Sequence, residues 1–126
     1  MLIENQIIQN KNSVAQLIDS DIFFIKYMPN TYSEVEDFQE GFDSFKELTE
    51  GKTVKVLVEM CRHANVSKEA RELAQNNKMH AIAEALVLHS LPQRIIFKFY
   101  IKFRKQDHPL KIFSDYYSAL AWLRSI

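Results

Sequence analysis

The sequence predicts an α/β fold: N-terminal antiparallel strands followed by βα units, with a mixed central sheet packed by about four helices. Three observations carry this. Short apolar runs at the start are separated by clusters of Asn, Asp and Ser, which is turn chemistry. From residue 31 onward, runs of strand length alternate with runs whose apolar residues recur every three or four positions. The length, 126 residues, suits one domain over 1–126, and hydrophobic and charged fractions of 47% and 25% are those of a chain that buries a core.

Leu2–Gln9, Val14–Ile18 and Ile22–Met28 read as strands separated by Asn10-Lys11-Asn12 and Asp19-Ser20-Asp21. Connections this short allow only antiparallel pairing, because a parallel pair needs a crossover of about a dozen residues. Pro29-Asn30 ends the third strand. Thr31-Tyr32-Ser33-Glu34 then matches a capping box, with Val35, Phe38, Phe42, Phe45 and Leu48 as the apolar stripe of the helix that follows. Glu36, Asp37, Glu40, Asp43 and Glu47 are expected to face water, and Gly51 to stop the helix.

Val54–Met60 is a β-branched run between two helices, the pattern of a fully buried parallel strand. Ser67 caps a helix through about Gln75, which Asn76-Asn77 ends. Ala81–Leu88 is the next strand, although Ala81–Leu86 alone would suit a helix. Residues 94–104 satisfy both templates. As a strand they place Ile95, Phe97, Phe99, Ile101 and Phe103 on one side; as a helix they place Arg94, Lys98 and Lys102 opposite Ile95, Phe99 and Phe103. The βα rhythm on either side selects helix. Pro109–Phe113 is a final strand, and Ser114-Asp115 caps a closing helix.

This architecture resembles the STAS domain of anti-sigma-factor antagonists, over most of residues 12–126. The likeness to small bacterial STAS-like proteins is carried by Glu69-Ala70-Arg71 and by Ile112-Phe113-Ser114-Asp115 leading to Ala119-Leu120-Ala121-Trp122-Leu123. The resemblance implies a regulatory or protein-interaction module without chemistry of its own. It also implies a phosphorylated serine before the second helix. The Asp-Ser loop motif is absent here, and Ser67 alone stands at that helix N-terminus, where an ordinary cap is the simpler role.

Composition excludes several classes. Glu4 and the absence of a basic, then apolar, leader argue against export, no apolar run nears the roughly 20 residues that span a bilayer, and Cys61 is the only cysteine. A cytoplasmic protein with no stable membrane insertion is expected. Two glycines, Gly41 and Gly51, cannot build the usual phosphate-cradling loops, and the four histidines lack zinc spacing, so neither cofactor nor metal is expected. Basic and aromatic residues interleave over 94–105, but the missing glycine of the RNA-binding strand motif and the zero net charge argue against nucleic acid.

Enzyme chemistry would rest on Cys61 and His89, each near the C-terminal end of a predicted parallel strand, where open α/β sheets place reactive groups. Neither a base beside the thiol nor an oxyanion hole is readable, so a non-enzymatic module is the reading. The alternative is a small apolar-ligand or lipid-binding domain, suggested by nine phenylalanines and four methionines. Residues 1–60 hold 11 acids and 5 bases, residues 61–126 the reverse, which suits complementary faces. A homodimer is expected through helix 91–105: with Ile95, Ile96, Phe99, Tyr100 and Phe103 on the sheet, Phe97 and Ile101 would be exposed beside Lys98 and Lys102, facing Glu36, Glu40 and Asp43 of a partner.

Overall fold

A computed structural model describes residues 6–77, 80–104 and 107–126; Leu2 to Asn5 of the first predicted strand lie outside them. β1 (Ile7–Gln9), β2 (Ser13–Ile18) and β3 (Ile22–Tyr27) form the expected antiparallel meander. The chain then runs through β4 (Tyr32–Ser33), α1 (Val35–Thr49), β5 (Val54–Met60), β6 (Asn65–Val66), α2 (Lys68–Asn76), β7 (Ala81–Leu88), α3 (Leu91–Phe103), β8 (Leu110–Phe113) and α4 (Tyr116–Arg124). β3, β5, β7 and β8 pair in parallel, so the mixed sheet has the order β1-β2-β3-β5-β7-β8.

Strand alternation divides the core between the two sheet faces. Phe23, Ile25 and Tyr27 of β3, Val56 and Met60 of β5, and Leu86 and Leu88 of β7 pack under α1, α2 and α3. Their neighbours Ile22, Phe24, Leu57, Ala83, Ala85 and Val87 pack under α4 through Ala119, Leu120 and Leu123. The alanines of β7 let α4 sit close to the sheet. An exposed ion pair, Arg124 Nε to Asp19 Oδ2 at 2.6 Å, joins the end of α4 to the β2–β3 turn. There Asp19 and Ser20 adopt positive φ, a conformation that short polar side chains tolerate.

Three local expectations need correction. The cap of α1 is Glu34 rather than Thr31: Tyr32 and Ser33 stay extended to pair with Asn65 and Val66, and the Thr31 hydroxyl donates to the Met28 carbonyl at 2.7 Å. The box is therefore completed by Asp37, whose Oδ2 accepts from the Glu34 amide at 2.8 Å, and this buries Asp37 instead of leaving it in water. β5 is buried at Val54, Val56, Leu57 and Met60 but only partly at Val58 and Glu59, because its C-terminal half meets a cavity on one face and a polar edge on the other.

α3 forms as expected, capped by the Ser90 hydroxyl, which accepts from the Gln93 amide at 3.3 Å, and with Pro92 in its first turn. The face it buries is a different one. Phe97 and Tyr100 are buried and Ile101 packs against the core, whereas Leu91, Ile95 and Phe99 are 69%, 62% and 68% exposed and Ile96 is 38% exposed. The Phe103 side chain lies outside what is described. The inward stripe is Gln93, Phe97, Tyr100 and Arg104, because the two polar residues at its ends have buried partners on the sheet side.

Candidate functional site

The C-terminal edge of the parallel strands brings together the ends of β5 and β7 and the start of α3. Gln93 is its organiser: its Nε2 donates to the carbonyls of Cys61 at 2.8 Å and Ala64 at 3.0 Å, and its Oε1 accepts from the His89 amide at 2.8 Å. His89 is on this edge as expected, but its imidazole partner is Glu59, with Nε2 at 2.6 Å from Oε2. The Cys61 side chain is buried, and burial, then the nearby Glu59 charge, push its thiol up from its ordinary value. The His89 imidazole is thus engaged with a carboxylate, and burial disfavours the thiolate of Cys61.

Ser67 sits where the sequence places it. It is buried, its Oγ accepts from the Ala70 amide at 3.0 Å, and its own amide donates to the Ser33 carbonyl at 2.9 Å. The hydroxyl works as the helix cap. Among the described residues no group of three or more His, Cys, Asp or Glu could hold a metal ion.

Two features went unforeseen. The first is a buried polar cluster between β7, the end of α3 and the approach to β8. Glu84 takes a two-point ion pair from Arg104, Nη1 to Oε2 at 3.0 Å and Nη2 to Oε1 at 2.9 Å, and His108 Nε2 lies 3.1 Å from Oε1. Burial works to raise the Glu84 pKa, yet the hydrogen bonds from His108 and Arg104 outweigh it and hold the carboxyl below its ordinary range. The same bond to Glu84 raises His108 against the opposing effect of burial. One sequence signal marked this cluster: an acid in the middle of the apolar run Ala81–Leu88 must find a partner if that run is a core strand.

The second is a cavity of about 80 Å³, measured as space open to the centre of a water-sized sphere, between the inner sheet face and α1, α2 and α3. Its walls are mainly apolar, with Phe23, Phe38, Phe45 and Phe97 among them, and Arg71, Glu84 and Arg104 also reach it. Outside it, a groove of about 360 Å³ runs between α2 and α3, floored by Ile95, Ile96 and Phe99 and edged by Lys68, Arg71, Glu72 and Gln75. Lys98 and Lys102 are exposed farther along α3.

The architecture is that of a known group. A crystal structure of an uncharacterised protein of the DUF3478 family from Shewanella loihica PV-4, described as having a SpoIIAA-like fold, superposes with a TM-score of 0.60 at 16% identity, covering 88% of this chain and 91% of that one. The fold is therefore STAS-like, with antiparallel N-terminal strands, parallel βα units and four helices. Among the described residues no helix is long and apolar enough to cross a membrane. None of the curated proteins matches the chain. A family model, "Domain of unknown function (DUF7793)", matches residues 16–126, and the chain belongs to that family.

Proposed function

We propose that this protein is a non-enzymatic interaction module of the cytoplasm, of the regulatory STAS-like kind, and that it docks a second copy of itself through the outer face of α3. One observation carries the reading: Leu91, Ile95 and Phe99, at four-residue spacing with Ile96 beside them, leave a continuous apolar strip exposed. Such a strip in water favours association, since each buried apolar group contributes by the area it removes from solvent. The groove between α2 and α3 gives the strip the concavity into which a partner's side chains fit.

Charge supports a second copy as the partner. Lys98 and Lys102 flank the strip, α1 carries Glu36, Glu40 and Asp43, and the zero net charge of the chain leaves little repulsion between copies near pH 7. Phe97 and Ile101, the exposed pair expected from sequence, belong instead to the core, so they are the wrong positions to probe.

Sedimentation velocity at micromolar concentration tests the reading. The wild type is expected to sediment as a dimer, and Ile95→Glu/Phe99→Glu as a folded monomer with an unchanged far-ultraviolet circular dichroism spectrum. A monomeric wild type would overturn the second-copy assignment, as would a dimer that survives the double substitution.

A further inference from the structure

The cavity under α1, α2 and α3 is unexplained by docking on the outer face, and its chemistry is uneven. Most of its wall is aromatic or aliphatic. Glu84 and Arg104 satisfy each other and His108, so they offer little to a guest. Two wall groups keep unused hydrogen-bonding capacity. Tyr27 is 5% exposed, yet its hydroxyl has no hydrogen-bond partner among the described residues. Gly41 of α1 makes room for that hydroxyl, because a Cβ at this position would lie 2.7 Å from the Tyr27 Oη. Arg71 spends only Nη1, on the Val66 carbonyl at 2.7 Å, and has no carboxylate within 4.0 Å among the described residues.

From this geometry we infer that the cavity is a binding site for a small monocarboxylate, its apolar body among the aromatic rings and its carboxylate on the Arg71 guanidinium and the Tyr27 hydroxyl. Size and charge both select this class. At about one water-sized sphere per 10–15 Å³, the cavity takes roughly five to eight, which fits hexanoate or benzoate and excludes a long-chain lipid. The ion pair of Glu84 and Arg104 is neutral as a unit, so the charge left at the wall itself is that of Arg71, and a guanidinium with free donors prefers an anionic acceptor; Asp37 and Glu40 act on the Tyr27 hydroxyl from α1, so the guanidinium is the principal anchor. The phenol of Tyr27 is a second hydrogen-bond donor on the same wall. Of the half-buried members of the wall, Phe42 and Phe45 lie on α1 and Arg71 and Ala74 on α2, with Val58 and Arg104 elsewhere, so a guest enters between α1 and α2 without opening the sheet.

Amide chemical-shift titration of the full chain with hexanoate, benzoate and, as the uncharged counterpart, hexanol tests the inference. Saturable shifts are expected at residues of β3, β5 and α2 that wall the cavity. Arg71→Gln should weaken hexanoate about tenfold or more, the equivalent of one charge-assisted hydrogen bond, while changing hexanol little. Ala74→Leu, which fills the space, should abolish both, and its melting curve shows whether it is folded; Phe45→Trp fills the cavity from α1 should α2 fail to tolerate the leucine. Absence of saturable shifts at millimolar ligand would overturn the inference. So would shifts confined to Ile95, Ile96 and Phe99 in the outer groove, or equal weakening of hexanoate and hexanol by Arg71→Gln.

Discussion

Replacing Glu84 by Gln isolates the buried cluster at the end of α3, because the amide keeps the shape of the carboxylate and removes its charge. The side chains of Glu84, Arg104 and His108 are 6%, 7% and 3% exposed, so solvent screens the change very little. Arg104 would remain charged and buried, with an amide NH2 facing one of the two donors it now places on Glu84. Stranding one member of a buried ion pair costs about 3–5 kcal/mol, a large share of the roughly 5–15 kcal/mol that holds a domain folded. For a chain of this size that corresponds to a melting temperature lower by roughly 10–20 °C. Urea titration and a thermal scan monitored by circular dichroism measure both. The pair replacement Glu84→Leu/Arg104→Met should recover most of the loss, since apolar residues of similar volume often match a buried pair. A Glu84→Gln protein melting within about 3 °C of wild type would refute the reasoning, because an uncompensated guanidinium in the core could not be that cheap.

The same cluster sets a pH dependence. His108 is raised above its ordinary 6.5 by Glu84, so its contribution is full below about pH 6.5 and is lost as pH rises through the raised value. Glu84 is lowered below its ordinary 4.5, so its contribution is full above about pH 4.5 and is lost as pH falls through the lowered value. Wild-type stability from urea midpoints is therefore expected to decline above pH 6.5, and His108→Gln to flatten that decline; an equally steep decline in the variant would assign it to another group. Ser67→Ala removes the bond to the Ala70 amide and should cost about 1 kcal/mol, read from the same titrations, with the sedimentation coefficient unchanged. Altered self-association at full stability would show that Ser67 does more than cap α2.

The succession of the longer strands and helices, the antiparallel start and the N-cap residues Ser67 and Asp115 were legible because each rests on local chemistry: turn residues, periodicity, and a hydroxyl or carboxylate one residue before a helix; the two-residue strands β4 and β6 carry no such signal. The face of α3 was not. From Ile95 to Phe103 only Lys98 and Lys102 are polar, so helical periodicity marks where the lysines point and leaves several equivalent apolar sides. The choice is made by Gln93 and Arg104, residues that binary patterning sends to solvent and that here find partners on loop 61–64 and on β7. Thr31 failed as a cap for a similar reason: whether Tyr32-Ser33 is free to begin a helix depends on Asn65-Val66, more than thirty residues away. The cavity has no sequence signature at all. Its phenylalanines have the spacing that a filled core would have, and only the three-dimensional arrangement shows that they leave space.

The two ends of α3 explain how one helix can have an apolar strip on each side and still take a single orientation. Burial alone barely distinguishes Phe97 and Tyr100 from Ile95 and Phe99, since the areas are similar and a turn of about 150° exchanges them. The polar groups do distinguish them. Turned the other way, α3 would lift Gln93 from the carbonyls of Cys61 and Ala64 and withdraw Arg104 from Glu84, leaving the Ala64 carbonyl without this donor and the buried Glu84 carboxylate with His108 alone. Each such group costs more than the apolar areas differ. The cluster at Glu84 therefore selects an orientation as much as it stabilises one, and its selection has a consequence on each side of the helix. Inward, Phe97 and Tyr100 reach over the sheet as part of the cavity wall. Outward, Leu91, Ile95 and Phe99 are left on the surface, where they form the strip on which the proposed second copy docks.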